Sequence, residues 1–437
     1  MAMTDKLDIS QIIEKFKNGQ RVIVFDDLDR ENEADIIVPI AKATPDDITF
    51  MVTHAKGLLC TAISRQIAMD RGFPLMATNK ADPFATAFGL SVDSRSAKTG
   101  ISPRERCQTA KDMIDPSKTL KDFVTPGHLF PCIAKEGLLL QRRGHTEAAV
   151  SLCRWAGLPE GALICEMVKD DGNMLSIDEA KDFAAKHDMP FCTVEELVEY
   201  QKMTYSNVER IAKAKLATEY GEFDISIYKE AYTDKEHVFL SMGDYTKGLV
   251  RVHSECLTGD VFASRRCDCG SQLHRSLARI SEEGRGAIVY LRQEGRGIGL
   301  GEKIKAYYLQ QNEHLDTVDA NIQLGHKEDE RDYHQAAWIL KEEGFTSVRL
   351  YTNNPDKIDF LRRHGLDVTV EKLPAEINPE NVEYLKTKKA RMGTNLWICN
   401  IIIKNSTCIK QVLFFMSPSS AYSSLLSSHS NLSHSEF

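Results

Sequence analysis

The sequence predicts an α/β protein of two domains, each a mixed sheet packed with helices in mixed α/β and α+β layers, plus a C-terminal tail expected to be disordered. Three observations carry this. At 437 residues the chain exceeds what one hydrophobic core usually serves, and about 100 to 200 residues per domain gives two units. Short apolar, strand-like runs alternate with helical periods, the pattern of layered sheet and helix. From Trp397 this pattern gives way to an apolar stretch broken by Lys404 and Lys410, then to the serine-rich SPSSAYSSLLSSHSNLSHSEF.

The first unit opens with an amphipathic helix pattern over Ile9 to Phe16, and the apolar run Val22 to Phe25 reads as a buried strand. An acidic loop follows at once. Asp178 to His187 and Val194 to Tyr200 read as helices, whereas Gln201 to Glu209 carries no strong core pattern and separates domains expected at 1–203 and 207–396. In the second unit, strands are expected at Leu249 to Val252, Ala287 to Leu291 and Val348 to Tyr351. Helices are expected at Ser271 to Glu283, Leu300 to Gln311, His334 to Glu343 and Asp356 to His364. No repeat relates the halves. Residues 397–437 bury too little apolar surface to offset the entropy of ordering, although their apolar portion could instead cover a partner surface.

Composition narrows the function. Hydrophobic residues at 42% and charged residues at 27% are ordinary globular values, so most of the chain can bury a core. A formal charge of -8 argues against a broad electrostatic grip on nucleic acid. The N-terminus lacks a basic segment followed by an apolar run, and no stretch of about 18 apolar residues occurs, so a soluble, cytoplasmic protein without a membrane partner is expected. Eleven cysteines without a signal peptide favour reduced thiols, and Cys153, Cys165 and Cys192 sit in apolar neighbourhoods typical of core residues.

The chemistry concentrates in two places. RVHSECLTGDVFASRRCDCGSQ, Arg251 to Gln272, places ten residues between Cys256 and Cys267 and one between Cys267 and Cys269. Three thiolates can fill three corners of a tetrahedral zinc and leave the fourth for water, as in catalytic sites. Spacing alone leaves zinc and buried free thiols equally open. RQEGRGIGL follows a strand and leads into a helix; its glycines let backbone N–H groups approach an anion, Arg292 and Arg296 add charge, and polyphosphate is the natural guest. Alone, such a loop is also a plain turn. TNNPDK at Thr352 to Lys357 lies between a strand and a helix, where open α/β sheets place ligands, and DERD sets Asp329 two residues from Arg331. Singly, each is also a solvated turn or helix start.

Together RVHSECLTGD, RCDCG, RQEGRGIGL, DTVDANIQLG, DERD and TNNP, in this order, closely resemble GTP cyclohydrolase II over about Val208 to Leu396. The resemblance implies hydrolytic opening of the guanine imidazole ring, release of C8 as formate and loss of pyrophosphate, giving the diaminopyrimidine that starts riboflavin synthesis. It implies zinc on Cys256, Cys267 and Cys269, and magnesium accompanying the nucleotide. The implied GTP contacts are Arg251, Val252, His253, Ser254, Glu255, Gln272, Glu294, Gly295, Arg296, Thr317, Thr352 and Lys357. Asp329 is the implied proton acceptor, Arg331 the group proposed to attack the α-phosphorus, and Tyr307 an active-site tyrosine. Arginine is normally protonated, so a purely electrostatic role for Arg331 in stabilising the departing pyrophosphate is the physically easier alternative.

In the first unit DDLDRENEAD, Asp26 to Asp35, crowds six carboxylates around one arginine. Such density calls for a divalent cation or hydrogen bonds, unless the loop is simply solvated. QRRGHTEA at Gln141 to Ala148 adds arginines for a phosphate, a histidine for metal or proton transfer, and a hydroxyl. RENE, TPGH, RRGHTEA and CEMVKDDG together resemble 3,4-dihydroxy-2-butanone 4-phosphate synthase over roughly residues 8 to 203. That family converts ribulose 5-phosphate to formate and dihydroxybutanone phosphate without an organic cofactor. The resemblance implies Glu31 and His145 as ligands of magnesium or manganese, and His128 and Glu166 as acid/base groups. Arg30, Asp35, Arg142, Arg143, Gly144 and Thr146 would hold the sugar phosphate together with the metal ligands and Glu166, and Cys60 would line the site.

Several positions depart from that family's pattern: Ala55 and Lys56 within His54 to Gly57, Gly89 and Leu90, Lys98, and Thr125 before Pro126. Ala55 for glycine is expected to cost backbone freedom, and loss of an arginine at Thr125 to weaken anion handling. The reading is a bifunctional enzyme feeding both branches of riboflavin synthesis, commonly a homodimer in the family. The alternatives are an active cyclohydrolase carrying a structural or regulatory N-terminal module, and a GTP-binding regulator without hydrolysis.

Overall fold

In the computed structural model Val22–Phe25 forms strand β1, an unbroken apolar run because both faces of its sheet are covered. Val22 and Val24 join one hydrophobic cluster, Ile23 and Phe25 the other. The structure describes residues 7–27, 30–76, 84–313, 315–376, 378–391 and 397–398; of the tail expected to be disordered at 397–437, Trp397–Ile398 instead form a short strand paired with Pro374–Ala375, and residues 399–437, like Asp29 of the acidic loop, lie outside the described residues. The chain divides into two compact units, Met1–Tyr205 and Ser206–Phe437.

The remaining strands of the first unit are β2 (Ala34–Pro39), β3 (Cys60–Ile63), β4 (Val92–Ser94), β5 (Phe123–Ile133), β6 (Gly161–Glu166) and β7 (Phe191–Thr193). They make a mixed sheet in the order β4-β5-β3-β6-β2-β1-β7. Helices Ile9–Lys17, His145–Trp155 and Val194–Thr204 cover one face, and Pro45–His54, Pro103–Ile114 and Ile177–Lys186 the other. The start of Ile9–Lys17 is set by a capping box between Asp8 and Gln11, and that of Val194–Thr204 by one between Thr193 and Glu196. Cys153, Cys165 and Cys192 are buried, as their apolar neighbourhoods predict.

The second unit comprises β8 (Val208–Thr218), β9 (Gly221–Glu230), β10 (Glu236–Met242), β11 (Leu249–Ser254), β12 (Gly286–Leu291), β13 (Ser347–Tyr351) and β14 (Asp367–Glu371), ordered β14-β13-β11-β12-β10-β9-β8. From β14 to β12 all neighbours are parallel, and from β12 to β8 all are antiparallel. Helix Cys269–Glu283 packs on Leu249 and Ile288, while His334–Glu342 and Pro355–Arg363 cover the opposite face.

The segment expected to be patternless, Gln201 to Glu209, instead completes a helix to Thr204 and begins β8 at Val208. Strand β8 escapes a reading by alternation because, after the buried Val208, its side chains through Ala217 are all exposed at the sheet edge. The C-terminal ends of β11, β12 and β13 lie side by side, and the cysteine loop, the glycine-rich loop and the TNNP turn all follow them. Among the described residues, no helix is long and apolar enough to cross a membrane.

Candidate functional site

The loop after β11 and the start of helix Cys269–Glu283 bring Cys256, Cys267 and Cys269 together, with all three sulfurs within 4.8 Å of one another. Cys256 and Cys267 Sγ are 3.7 Å apart. Gly259 makes the convergence possible: a Cβ there would stand 3.0 Å from Cys267 Sγ and 3.2 Å from Cys256 Sγ. The thiols divide their protons unequally. Hydrogen bonds from Cys267 and Cys269, with the Lys303 ammonium nearby, pull the Cys256 thiol far down. Hydrogen bonding to Cys256 pushes Cys267 up to about 11 and drives Cys269 well above its ordinary value. Three thiolates coexist here only if a cation shares them, so the donor set and geometry fit zinc.

Beside the thiols lies a cavity of about 420 Å³. Of the expected GTP contacts, Ser254, Glu255, Glu294, Gly295, Arg296 and Thr317 line it, as do Tyr307 and Arg331. Arg251, Val252, His253, Gln272, Thr352 and Lys357 are not among its lining residues. Several of them make hydrogen bonds within the protein. Arg251 donates to Gln272 Oε1 at 2.6 Å and to the Tyr351 carbonyl at 3.0 Å. His253 lies 3.1 Å from Asp260, whose carboxylate also accepts from the Cys256 N–H. Lys357 is buried and donates to the Val252 carbonyl at 2.8 Å, and burial pulls its ammonium well below the usual lysine range.

The glycine-rich loop follows β12 with four left-handed residues among five: φ is 64° at Gly295, 63° at Arg296, 97° at Gly297 and 89° at Gly299. Only Ile298 separates the last two. Gly297 is obligatory for space as well, since a Cβ would meet the Glu330 carbonyl at 2.7 Å. Arg296 carries a buried Nη2 with no hydrogen-bond partner, an unmet donor suited to an anion. Asp329 and Arg331 form a forked pair, with Arg331 Nε 2.9 Å from Asp329 Oδ1. Burial opposes both charges, yet Tyr333 and Asp329 raise Arg331 and the Arg331 guanidinium lowers Asp329, so both stay ionised.

Sequence reasoning missed Lys303, which donates to Cys256 Sγ at 3.2 Å, Thr258 Oγ1 at 3.0 Å and Glu294 Oε1 at 2.7 Å. A lysine in the first turn after a glycine-rich loop was the available signal. It also missed Arg266, which stacks 4.6 Å over Tyr307, and Tyr384 and Lys388, for which no local motif speaks.

In the first unit, Asp26 after β1, Glu31 in the acidic loop and His145 at the start of helix His145–Trp155 form a second cluster, with ligand atoms within 4.8 Å. Asp26 is the addition; it had been counted only as one of the crowded acids. Asp26 Oδ1, Asp35 Oδ1 and His145 Nε2 are all buried without hydrogen-bond partners, orphan atoms that suit a divalent cation. Burial, then Glu166 and Glu31, holds the Asp35 carboxyl well above the usual range, and burial lowers His145. Arg30 bonds Asp26 at 2.5 Å and Glu31 at 2.6 and 2.8 Å, neutralising the acids.

Asp35 pairs with Glu166 across β2 and β6, and burial raises the Glu166 carboxyl while the Leu58 N–H donates to it at 2.8 Å. Buried Cys60 lies on adjacent β3. His128 Nδ1 sits 2.7 Å from Asp93 on β4. Among the described hydrogen bonds, none joins His128 to Glu31, His145 or Glu166. Arg142 uses three donors within the protein, on Glu147, the Phe84 carbonyl and Thr86, whereas Arg143 is half-exposed and 3.6 Å from Asp27. Gly144 caps, and Thr146 continues, the helix that presents His145.

The departures from the synthase pattern fit locally. Ala55 is right-handed at φ -80° and ψ -44°, so no glycine is needed there; the left-handed residue is Lys56 at φ 69°. Gly57 is the indispensable glycine, because a Cβ would stand 2.6 Å from Glu166 Oε2. At Lys98 only the backbone is used: its N–H donates to Glu105, which with further hydrogen bonds from this turn is held down to about 2. Thr125 donates to the Ser91 carbonyl at 2.9 Å.

The family model for 3,4-dihydroxy-2-butanone 4-phosphate synthase matches residues 10–200, and that for GTP cyclohydrolase II matches residues 209–374. The riboflavin biosynthesis protein RibBA of Bacillus mycoides is 45% identical over 390 residues, covering 88% of this chain and 98% of that protein. The chain belongs to this bifunctional riboflavin biosynthesis family. The Bacillus subtilis RibBA is likewise 45% identical over 391 residues, with the same coverage. Among solved structures, RibBX from A. baumannii, described as a two domain 3,4-dihydroxy-2-butanone 4-phosphate synthase, aligns with a TM-score of 0.62 at 28% identity, covering 85% of this chain and 100% of that chain. As a member of the bifunctional family, the chain is an enzyme with a lyase unit and a hydrolase unit, one for each entry reaction of riboflavin biosynthesis.

Proposed function

We propose that GTP binds in the cavity of the second unit and ribulose 5-phosphate at the acidic cluster of the first. The observation that carries the first assignment is one cavity that unites three convergent thiols with the unmet donor of Arg296 and the charged Arg331. Zinc held by Cys256, Cys267 and Cys269 would supply a Lewis acid and a nucleophilic water near neutral pH. Arg296 and the left-handed backbone of its loop bind phosphate oxygens, and magnesium accompanies the nucleotide. Asp329 remains ionised, the state a proton acceptor requires, and it aims Arg331 into the cavity.

The retained charge on Arg331 favours the electrostatic role over nucleophilic attack, since a guanidinium has no free electron pair to offer. Arg331→Lys, which loses the forked pairing, is expected to lower kcat on GTP by about a hundredfold while zinc content is unchanged. Mass spectrometry of wild-type enzyme denatured during turnover at mildly alkaline pH, where a phosphorus–nitrogen bond survives, checks the alternative. A nucleotide adduct on Arg331 overturns the electrostatic role.

For the first unit, magnesium or manganese on Asp26, Glu31 and His145 would polarise substrate oxygens. Arg30 and Arg143 offer charge to the sugar phosphate. Glu166, raised by burial, holds a proton closer to neutral pH than an exposed carboxyl and so suits proton transfer, with His128 oriented by Asp93 as its counterpart. Formate release from each substrate tests the reading. Folded, magnesium-supplied protein that fails on ribulose 5-phosphate, or zinc-loaded protein that fails on GTP, would sink the corresponding half.

A further inference from the structure

We propose that the helix Val382–Arg391 is a strap that closes the cavity of the second unit over its ligand, and that Lys388 is the residue that positions it. The proposal rests on the assignment of that cavity to GTP. The helix begins beyond residue 374, where the family match ends, yet Tyr384, Thr387 and Lys388 line the cavity. Tyr384 and Lys388 are one helical turn apart and share a face, with the ammonium 4.6 Å from the ring centroid. Tyr384 lines the cavity together with Cys269 and Arg296, so the strap delivers its phenol among the groups assigned to metal and phosphate.

The latch is a buried ion pair. Lys388 Nζ donates to Asp268 Oδ1 at 2.9 Å; the aspartate side chain is fully buried and the lysine only 16% exposed. Asp268 stands between Cys267 and Cys269 and accepts from Gln272 through its other oxygen at 2.6 Å. The strap therefore docks on the segment that carries two of the three thiols. One turn further on, the last residue of the helix, Arg391, adds a second tie, donating to Asp316 at 3.0 Å and Asp319 at 2.7 Å. Asp316 in turn caps the helix carrying Thr317, and both line the cavity.

These ties differ in kind. Exposed pairs such as Arg391 with Asp319 contribute little by themselves. Deleting one member of a buried pair strands the other charge and is costly, whereas separating both into water restores the hydration of each. Opening must also withdraw the buried Val382 and Leu385, so the strap rests closed and a bound ligand slows its release further.

Full-length, zinc-loaded protein is digested with trypsin, with and without saturating α,β-methylene GTP, and cleavage within residues 386–391 is followed by mass spectrometry. The analogue is expected to slow that cleavage about tenfold or more, the effect of shifting the closed state by one decade. Lys388→Met is expected to remove the protection and raise KM for GTP about tenfold or more, with a smaller change in kcat and unchanged zinc content. Lys388→Arg should restore both. Calorimetric binding of the analogue without protection overturns the strap alone. No calorimetric binding overturns the GTP assignment and the strap with it. A KM for Lys388→Met equal to that of wild type overturns the role of Lys388, and the protection measurement needs no variant to fold.

Discussion

Cys267→Ser is expected to lose bound zinc and to abolish formate release from GTP, while formate release from ribulose 5-phosphate stays at the wild-type rate. Removing even an outer-shell partner of a metal site costs about 10- to 100-fold, so loss of a direct donor should exceed a hundredfold. The expected specificity comes from the separation of the two clusters into different compact units, with the thiols following β11 and the acids following β1. Serine preserves shape but not the soft, ionisable donor, so a general collapse of the fold is not expected. Metal analysis and paired formate assays on one preparation measure both arms. Retention of stoichiometric zinc by the variant, or loss of both activities, would contradict the assignment.

Glu31→Ala is expected to produce the mirror image: no formate from ribulose 5-phosphate, and an unchanged rate with GTP. Glu31 supplies one donor of the acidic cluster and holds Arg30 through both its oxygens. Without it, Arg30 keeps only Asp26 in that cluster, and the site loses charge and aim together. A loss above about a hundredfold is expected on the same reasoning as for the thiols. Magnesium titration gives the second measurement: the variant should not regain wild-type turnover at any concentration. If saturating magnesium restores it fully, Glu31 is not a required ligand.

The motifs were legible where function forces unusual residues into short segments. Three cysteines within fourteen positions, a glycine-rich loop and the Asp329/Arg331 pair pointed to a site only in combination, and the structure brings the thiols, the loop and Arg331 to one cavity. The strands and helices around them were legible because their faces are buried, as at Val22–Phe25, where two covered faces give a continuous apolar run. Strand β8 was not, because its exposed side chains leave no pattern to read.

By itself, the sequence determined the class of fold, the family and, through the family, the two chemistries. The fold class follows from patterning, and the family from ordered motifs that resemble known families, both of which survive in one dimension. Only the tertiary structure showed that Arg251, His253 and Lys357 are buried and hydrogen-bond within the protein, while Arg296 keeps a buried donor free. It alone also added Asp26 to one cluster, Lys303 to the other and Tyr384 and Lys388 to the cavity. The reason is distance along the chain. Lys388 meets Asp268 across 120 residues, a buried pairing that no local pattern can announce.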